Sequence, residues 1–413
     1  VTLAFLCNFV LLGSYYILRP LRDTMATVFG VAELQNLFSG TFLITLLCAP
    51  LFAWGASRFK LTQLVPGIFW LLLLNLLIFD GLFRLAPQNR WVAASYFWWF
   101  SVVNLFLISI FWTLMADVFS AGQATRLFAV IAAGGSLGAI AGPLITTSLV
   151  GSVGVGGLLL VAAGGFLLLI LLLRALMREK VRLRALDAEA QQTTLDHTLP
   201  GNPLRGFALL LHSSFLMKQA AFMLLMTWIA TVVYFLQADL IAKSFPAIES
   251  RTIAFANVDL FVNICSATIL IFGVGRAWQR FGVTASLVIS PILMVATCLG
   301  LLVAPTLFMV QATRAVQRIS QYAIARPSRE VLFTVVDQQS KYKAKNVIDT
   351  VVYRFGDVTA AWMQAGLRAA GFGLLGAVGL GVAVSAAWGF IAIAMGRQFE
   401  AIRGAATRAG EGA

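Results

Sequence analysis

Residues Val153–Met177 read VGVGGLLLVAAGGFLLLILLLRALM, twenty-one residues without a charge before Arg174. About 20 apolar residues in a helix cross the ~30 Å hydrocarbon core of a bilayer. The next stretch is the opposite in character. Residues Arg178–His212 hold Glu179, Lys180, Arg182, Arg184, Asp187 and Glu189, then Pro200-Gly-Asn-Pro203. They read as a polar linker with a short surface helix. Working outward from that junction, apolar runs recur in both directions. Before it they lie at about 1–28, 34–57, 62–86, 91–118, 126–149 and 153–177. After it they lie at about 213–241, 250–275, 282–304, 306–336, 345–370 and 372–396. The expectation is an all-α membrane protein of twelve transmembrane helices. Its parts are a bundle over 1–177, a cytoplasmic linker over 178–212 and a second bundle over 213–413. The run at Val1 has no basic n-region and no cleavage site, so it reads as a span and not as a signal peptide.

Composition excludes the other classes. Of 413 residues, 60% are hydrophobic and 11% charged, against roughly 25% charged in soluble domains. Barrel strands would alternate over about 10 residues, and these runs do not. Cys7, Cys48, Cys265 and Cys298 stand singly in apolar stretches, and His197 and His212 share the linker. No metal set, thiol chemistry or cofactor is expected, and no convincing nucleophile or acid–base set marks an enzyme. The net charge of +13 needs no nucleic acid, because Lys and Arg gather at cytoplasmic faces of membrane proteins.

Loop charges orient the spans. With both termini and the linker on one side, that side receives seventeen Lys and Arg, among them Arg58, Lys60, Arg126, Lys341 and Arg397. The other side receives five: Arg84, Arg90, Lys243, Arg251 and Arg368. The termini are therefore expected in the cytoplasm of an inner-membrane, multi-pass protein. The halves also echo each other. Asp117-Val-Phe-Ser120 precedes Arg126, and Asp337-Gln-Gln-Ser340 precedes Lys341, with the two aspartates 220 residues apart. With six spans on each side, this favours the major facilitator fold. Asp117, Arg126 and Asp337 become candidate gating residues.

The remaining basic residues lie inside the spans, where a charge is costly and faces a cavity or a partner. At 100° per residue, Arg314, Gln317, Arg318, Gln321, Ala325, Ser328 and Arg329 fall within about 120° of one another. Arg314 and Arg318 stand one turn apart and suit a multivalent anion in a central cavity. Arg326 lies off this stripe and is expected to pair within the protein, where Pro327 bends the helix. In the first span Asn8, Leu12, Tyr15, Arg19, Arg22 and Asp23 trace one face, interrupted by Pro20. Asp349, Tyr353 and Asp357 recur every four residues in the eleventh span, with Arg354 beside them and Gln364 further along. These acids, and Asp259 with Asn263 and Ser266, are either ion-pair partners or proton carriers. An Asp357 turned away from Arg354 would carry protons. Gly134, Gly138 and Gly142 form a ridge for close helix packing.

The segment Tyr15-Tyr16-Ile17-Leu18-Arg19-Pro20-Leu21-Arg22-Asp23 resembles the first-span signature of the bacterial and plastid ATP/ADP antiporters, a branch of the major facilitator superfamily. Further resemblance lies at Phe111-Trp112, Ala124-Thr125-Arg126-Leu127-Phe128, Phe245-Pro246 and Lys345-Asn-Val-Ile-Asp349 through Gly356. The resemblance implies nucleotide exchange and carries the family's basic first-span residue onto Arg22. It also implies an acid between Phe100 and Asn104, where this chain has none. An acidic position maps to Tyr234 and a basic one to Asp357, so the site is rebuilt. The expected partners are the bilayer and a small anionic molecule bound through Tyr15, Arg19, Arg22, Tyr234, Arg314, Arg318, Gln321 and Tyr353. The chain is expected to work as a monomer. The alternatives are a proton-coupled carrier of another anion, siderophore-like or phosphorylated, and a non-transporting receptor.

Overall fold

The computed structural model describes residues 1–58, 61–119, 121–186, 209–336 and 344–411. Among these every regular element is helical. Nine helical stretches among them are long and apolar enough to cross a bilayer. One, Arg126–Glu179, is 54 residues long. Gly154, at φ 67°, breaks it into two helices, which is why it covers two of the expected spans. The spans expected at 306–336 and 345–370 are helical but not among the nine, because arginines and acids dilute their apolar content. The surface is inverted relative to a water-soluble protein. Leu71 is 56% exposed and Phe308 80%, while Arg318, Asp259 and Gln317 are buried. Apolar side chains outward and charges inward is the pattern of a helical protein in lipid. The chain is a multi-pass membrane protein.

The fold divides into two compact units. The first comprises Val1–Val31, Ser39–Thr198 and Phe245–Asn263. It contains α1 (Thr2–Phe29), most of α2 (Leu34–Arg58), α3 (Leu61–Leu85), α4 (Arg90–Val118), α5 (Ala121–Leu186) and the start of α7 (Ile248–Phe272). Leu11, Leu18, Phe69, Tyr96, Phe100 and Phe166 form its core. Asn89 caps α4 by accepting from the Trp91 and Val92 amides. The glycine ridge of α5 lies against α1. A Cβ at Gly134 would meet the Phe5 carbonyl, and one at Gly138 the Phe9 carbonyl and the Gly13 amide. One at Gly142 would meet the Gly13 carbonyl and Tyr16. Backbone touches backbone here, as small residues four apart allow. Pro20 does not interrupt α1, which runs unbroken from Thr2 to Phe29. Proline removes one helical donor, and the burial of α1 against α4 and α5 outweighs that loss.

The second unit comprises Ala32–Phe38, Leu199–Ser244 and Ile264–Ala413. Its helices are α6 (Ser214–Ser244), α8 (Val274–Val303), α9 (Leu307–Ile319), α10 (Arg326–Leu332), α11 (Tyr353–Ala369) and α12 (Gly373–Glu411). Gly282, at φ 78°, kinks α8. Phe222 and Trp388 meet at 5.3 Å in the core. Thr306 caps α9 by accepting from the Met309 amide at 3.2 Å. Between α9 and α10 the chain makes a π turn, Ser320–Ala325, with the Arg326 amide bonded five residues back to Gln321. A second π turn, Ile348–Val352, leads into α11. The bend expected at Pro327 is therefore taken up one turn earlier. Proline has no N–H to continue the α-helical ladder, and it sits in the first turn of α10, where none is needed.

Candidate functional site: a buried polar layer on three helices

In the second unit, α9 places Arg314, Gln317 and Arg318 inward, with Ser320 opening the π turn that follows, and all are buried. Gln321 follows in the π turn, Ser328 and Arg329 in α10, also buried. The stripe expected from periodicity is thus the interior face of this segment. Its partners come from α6, from α8 and from the π turn Ile348–Val352. Arg314 donates to the Ala230 carbonyl at 3.0 Å and to Gln317 Oε1 at 2.7 Å. Its guanidinium lies 5.3 Å above the Tyr234 ring, a cation–π contact. Gln317 in turn donates to Gln321 at 2.6 Å. This chain of amides orients Arg314. Arg318 lies 5.7 Å from the Tyr322 ring, and Arg326 lies 5.0 Å from the same ring. Tyr234 also packs against Phe38 at 5.8 Å.

Two acids of this unit, Asp349 and Asp357, stand beside arginines. Asp349 accepts from Arg329 at 2.5 Å. Asp357 lies 3.4 Å from Arg354 and accepts from Thr231 on α6 at 3.2 Å. Of the two arrangements open to Asp357, paired with Arg354 or turned away from it, the structure has the pair, because the three-residue spacing on α11 brings the two charges together. Arg354 also lies 5.8 Å from the Tyr353 ring. A further amide pair, Gln237 to Gln311 at 2.8 Å, joins α6 to α9. Trp228 donates to Thr359 at 2.9 Å, tying α6 to α11.

The first unit holds the other sequence candidates. Tyr15 is buried and stacks on Phe100 at 5.1 Å. Arg22 pairs with Asp23 and lies over the Phe97 ring at 5.1 Å. Arg19 lies 5.5 Å from the Tyr16 ring and 3.9 Å from Asp259. Asn263 donates to the Ala139 carbonyl at 2.6 Å, so it serves packing. Arg251 clasps the Phe245-Pro246 turn, donating to the Phe245 carbonyl at 2.7 Å. Of the gating candidates, Asp337 and the side chain of Asp117 lie outside the described residues, and Arg126 is exposed near the start of α5.

Sequence reasoning did not single out Thr231, Gln237, Gln311 or Tyr322. Thr227, Thr231 and Tyr234 recur at helical spacing in α6, a polar face that periodicity could have exposed. Residues 307–332 and 348–369 together carry six arginines against three acids. Of these charges Arg314, Arg318, Arg329 and Asp357 are buried, and a buried layer with three arginines to one acid, lined by amides and aromatic rings, can hold an anion by charge-assisted hydrogen bonds.

No protein family matches the chain, and no curated protein matches it. Solved structures do. A nucleoside transporter, NupG, is 13% identical over 97% of this chain and 98% of its own, with a TM-score of 0.62. A bacterial homologue of the iron transporter ferroportin, in an inward-facing state, is 12% identical over 94% and 97%, with a TM-score of 0.61. A POT family transporter in complex with a thioalcohol-conjugated peptide is 12% identical over 97% and 96%, with a TM-score of 0.60. Such identities speak to architecture, and the chain has the fold these transporters share, the all-α major facilitator fold.

Proposed function

We propose that the chain is a secondary active transporter of a small organic anion, working by alternating access. The observation that carries this reading is the buried chain Arg314–Gln317–Gln321 on a membrane-embedded helix, with Tyr234 beneath the guanidinium. A buried arginine oriented by neutral amides is arranged to receive negative charge from a ligand. Arg318, on the next turn, adds to the same attraction. The first-span segment Tyr15–Asp23 supports a nucleotide-like anion by its resemblance to the ATP/ADP antiporters. In this reading Tyr15, Arg19 and Arg22 are further candidates for substrate contact, and Asp117, Arg126 and Asp337 gate the cytoplasmic ends. The inner membrane and a monomeric state belong to the same proposal.

Exchange is favoured over proton symport. Asp259, Asp349 and Asp357 each stand within 4 Å of an arginine, an arrangement that suits fixed ion pairs. The test is uptake of labelled ADP, pyrophosphate and sugar phosphates into proteoliposomes, with and without internal counter-substrate. Uptake stimulated by internal substrate supports exchange. Uptake of none of these anions, by protein that is folded, refutes the reading.

A further inference from the structure

The polar interior of the second unit satisfies its amides in pairs, Gln237 with Gln311 and Gln317 with Gln321. Two buried glutamines stand apart, since neither amide atom of Gln219 or Gln364 has a hydrogen-bond partner among the described residues. Gln219 lies fifteen residues before Tyr234 on α6, roughly 22 Å along the helix, beside the Lys218–Gln398 contact. Gln364 is different. It is 1% exposed, and on α11 it lies within about 40° of both Asp357 and Arg368. Those two residues touch α6. Thr231 donates to Asp357 at 3.2 Å, and the Arg368 guanidinium lies 5.9 Å from the Phe235 ring. Gln364 therefore sits between two α6 contacts, at the level of the turn that carries Tyr234. That ring and the Ala230 carbonyl hold Arg314. Arg314 from α9 and the Gln364 face of α11 thus both stand against the same stretch of α6, the first at Ala230 and Tyr234 and the second at Thr231 and Phe235.

A buried amide that gives up its hydration and gains no partner loses free energy, and it becomes useful when a ligand supplies both missing bonds. We propose that Gln364 is a specificity-determining residue, which hydrogen-bonds the uncharged head of an organic anion whose charged group is held at Arg314. A primary amide presents a donor beside an acceptor. Its complement is a group with the same pair reversed, such as a nucleobase edge or adjacent sugar hydroxyls. This rests on the anion-carrier reading above and adds the neutral half of the substrate.

The experiment is a thermal-shift titration of the purified full chain with four probes: ADP, pyrophosphate, glucose 6-phosphate and inorganic phosphate. Each headed anion has a bare counterpart, and the two pairs separate a base from a sugar. Wild type binds one headed anion more tightly than its counterpart. Gln364→Leu, of similar volume, weakens that headed anion by about tenfold or more and leaves the bare one within about twofold. Without ligand the Leu variant melts at a higher temperature, because no unpaired amide remains buried. Equal weakening of both members of a pair, unchanged affinity for both, or a lower ligand-free melting temperature overturns the assignment. So does a wild type that prefers the bare anions, and in that case the anion site itself stands. A wild type that binds none of the four overturns the carrier reading, and the role of Gln364 falls with it.

Discussion

Gly138→Ala tests whether the contact of α1 with α5 is as close as the structure has it. A Cβ at this position would sit nearer the Phe9 carbonyl oxygen than any real Cβ approaches, and 2.9 Å from the Gly13 amide nitrogen. Both atoms are backbone, so no rotamer change relieves the clash. The helices must part until the carbon–oxygen distance reaches about 3.3 Å. Parting them loosens the same ridge at Gly134 and Gly142. Overpacking costs about 1–3 kcal/mol, and a backbone neighbour puts this case at the upper end. Alanine returns about 1 kcal/mol of helix propensity relative to glycine. The expected net loss is about 2 kcal/mol. Gly164→Ala is the control, because nothing lies within 4 Å of its Cβ position, and it should gain about 0.5–1 kcal/mol. Thermal and denaturant unfolding of the purified protein in one detergent compares the three. If Gly138→Ala is as stable as wild type, or gains as much as Gly164→Ala, the close approach of the two helices is refuted.

Three further outcomes arise from the charged interior. Asp349→Asn removes the carboxylate from buried Arg329 and leaves Glu330 at 3.6 Å. Breaking a buried pair costs about 3–5 kcal/mol; the partial exposure of Asp349 and the remaining acid bring the expected loss to about 2 kcal/mol. The double variant Arg329→Met with Asp349→Leu should recover most of it, and a single variant as stable as wild type would count against the pair. Asp357→Asn should lower stability by stranding Arg354 while leaving any response of uptake to an imposed pH gradient unaltered; a gradient response that vanishes in the variant would make Asp357 a proton carrier after all. Arg314→Gln should weaken anion binding by about ten- to a hundredfold, the worth of a charge-assisted hydrogen bond, while the protein still elutes as a folded species. Unchanged affinity in that variant would remove Arg314 from the site.

What sequence could and could not reveal divides along the range of the interaction. The α9 stripe was legible because its parts lie within one helix. Polar residues at spacings of three and four in an apolar span must share a face, and the cost of exposing arginine to lipid turns that face inward. The glycine ridge was legible for the same reason, although its partner on α1 was not. Pro20 misled, because a local donor count cannot weigh the packing that holds α1 straight. Pro327 signalled a break without saying that it would become a π turn one turn earlier. Asp357 shows the limit most clearly. Its neighbour at three residues, Arg354, was visible in the sequence, but the hydroxyl that helps hold it comes from Thr231, 126 residues away. Whether the acid pairs or stands clear depends on how α6 docks against α11, which no spacing on α11 records. Gln364 is the same case in reverse. Nothing on α11 distinguishes it from any other glutamine in a span, and only the packing of three helices shows that its amide is left over where its neighbours are paired. A substrate site in this fold is what remains after the helices have satisfied one another, so the residues that recognise the neutral part of a ligand emerge only from the assembled interior.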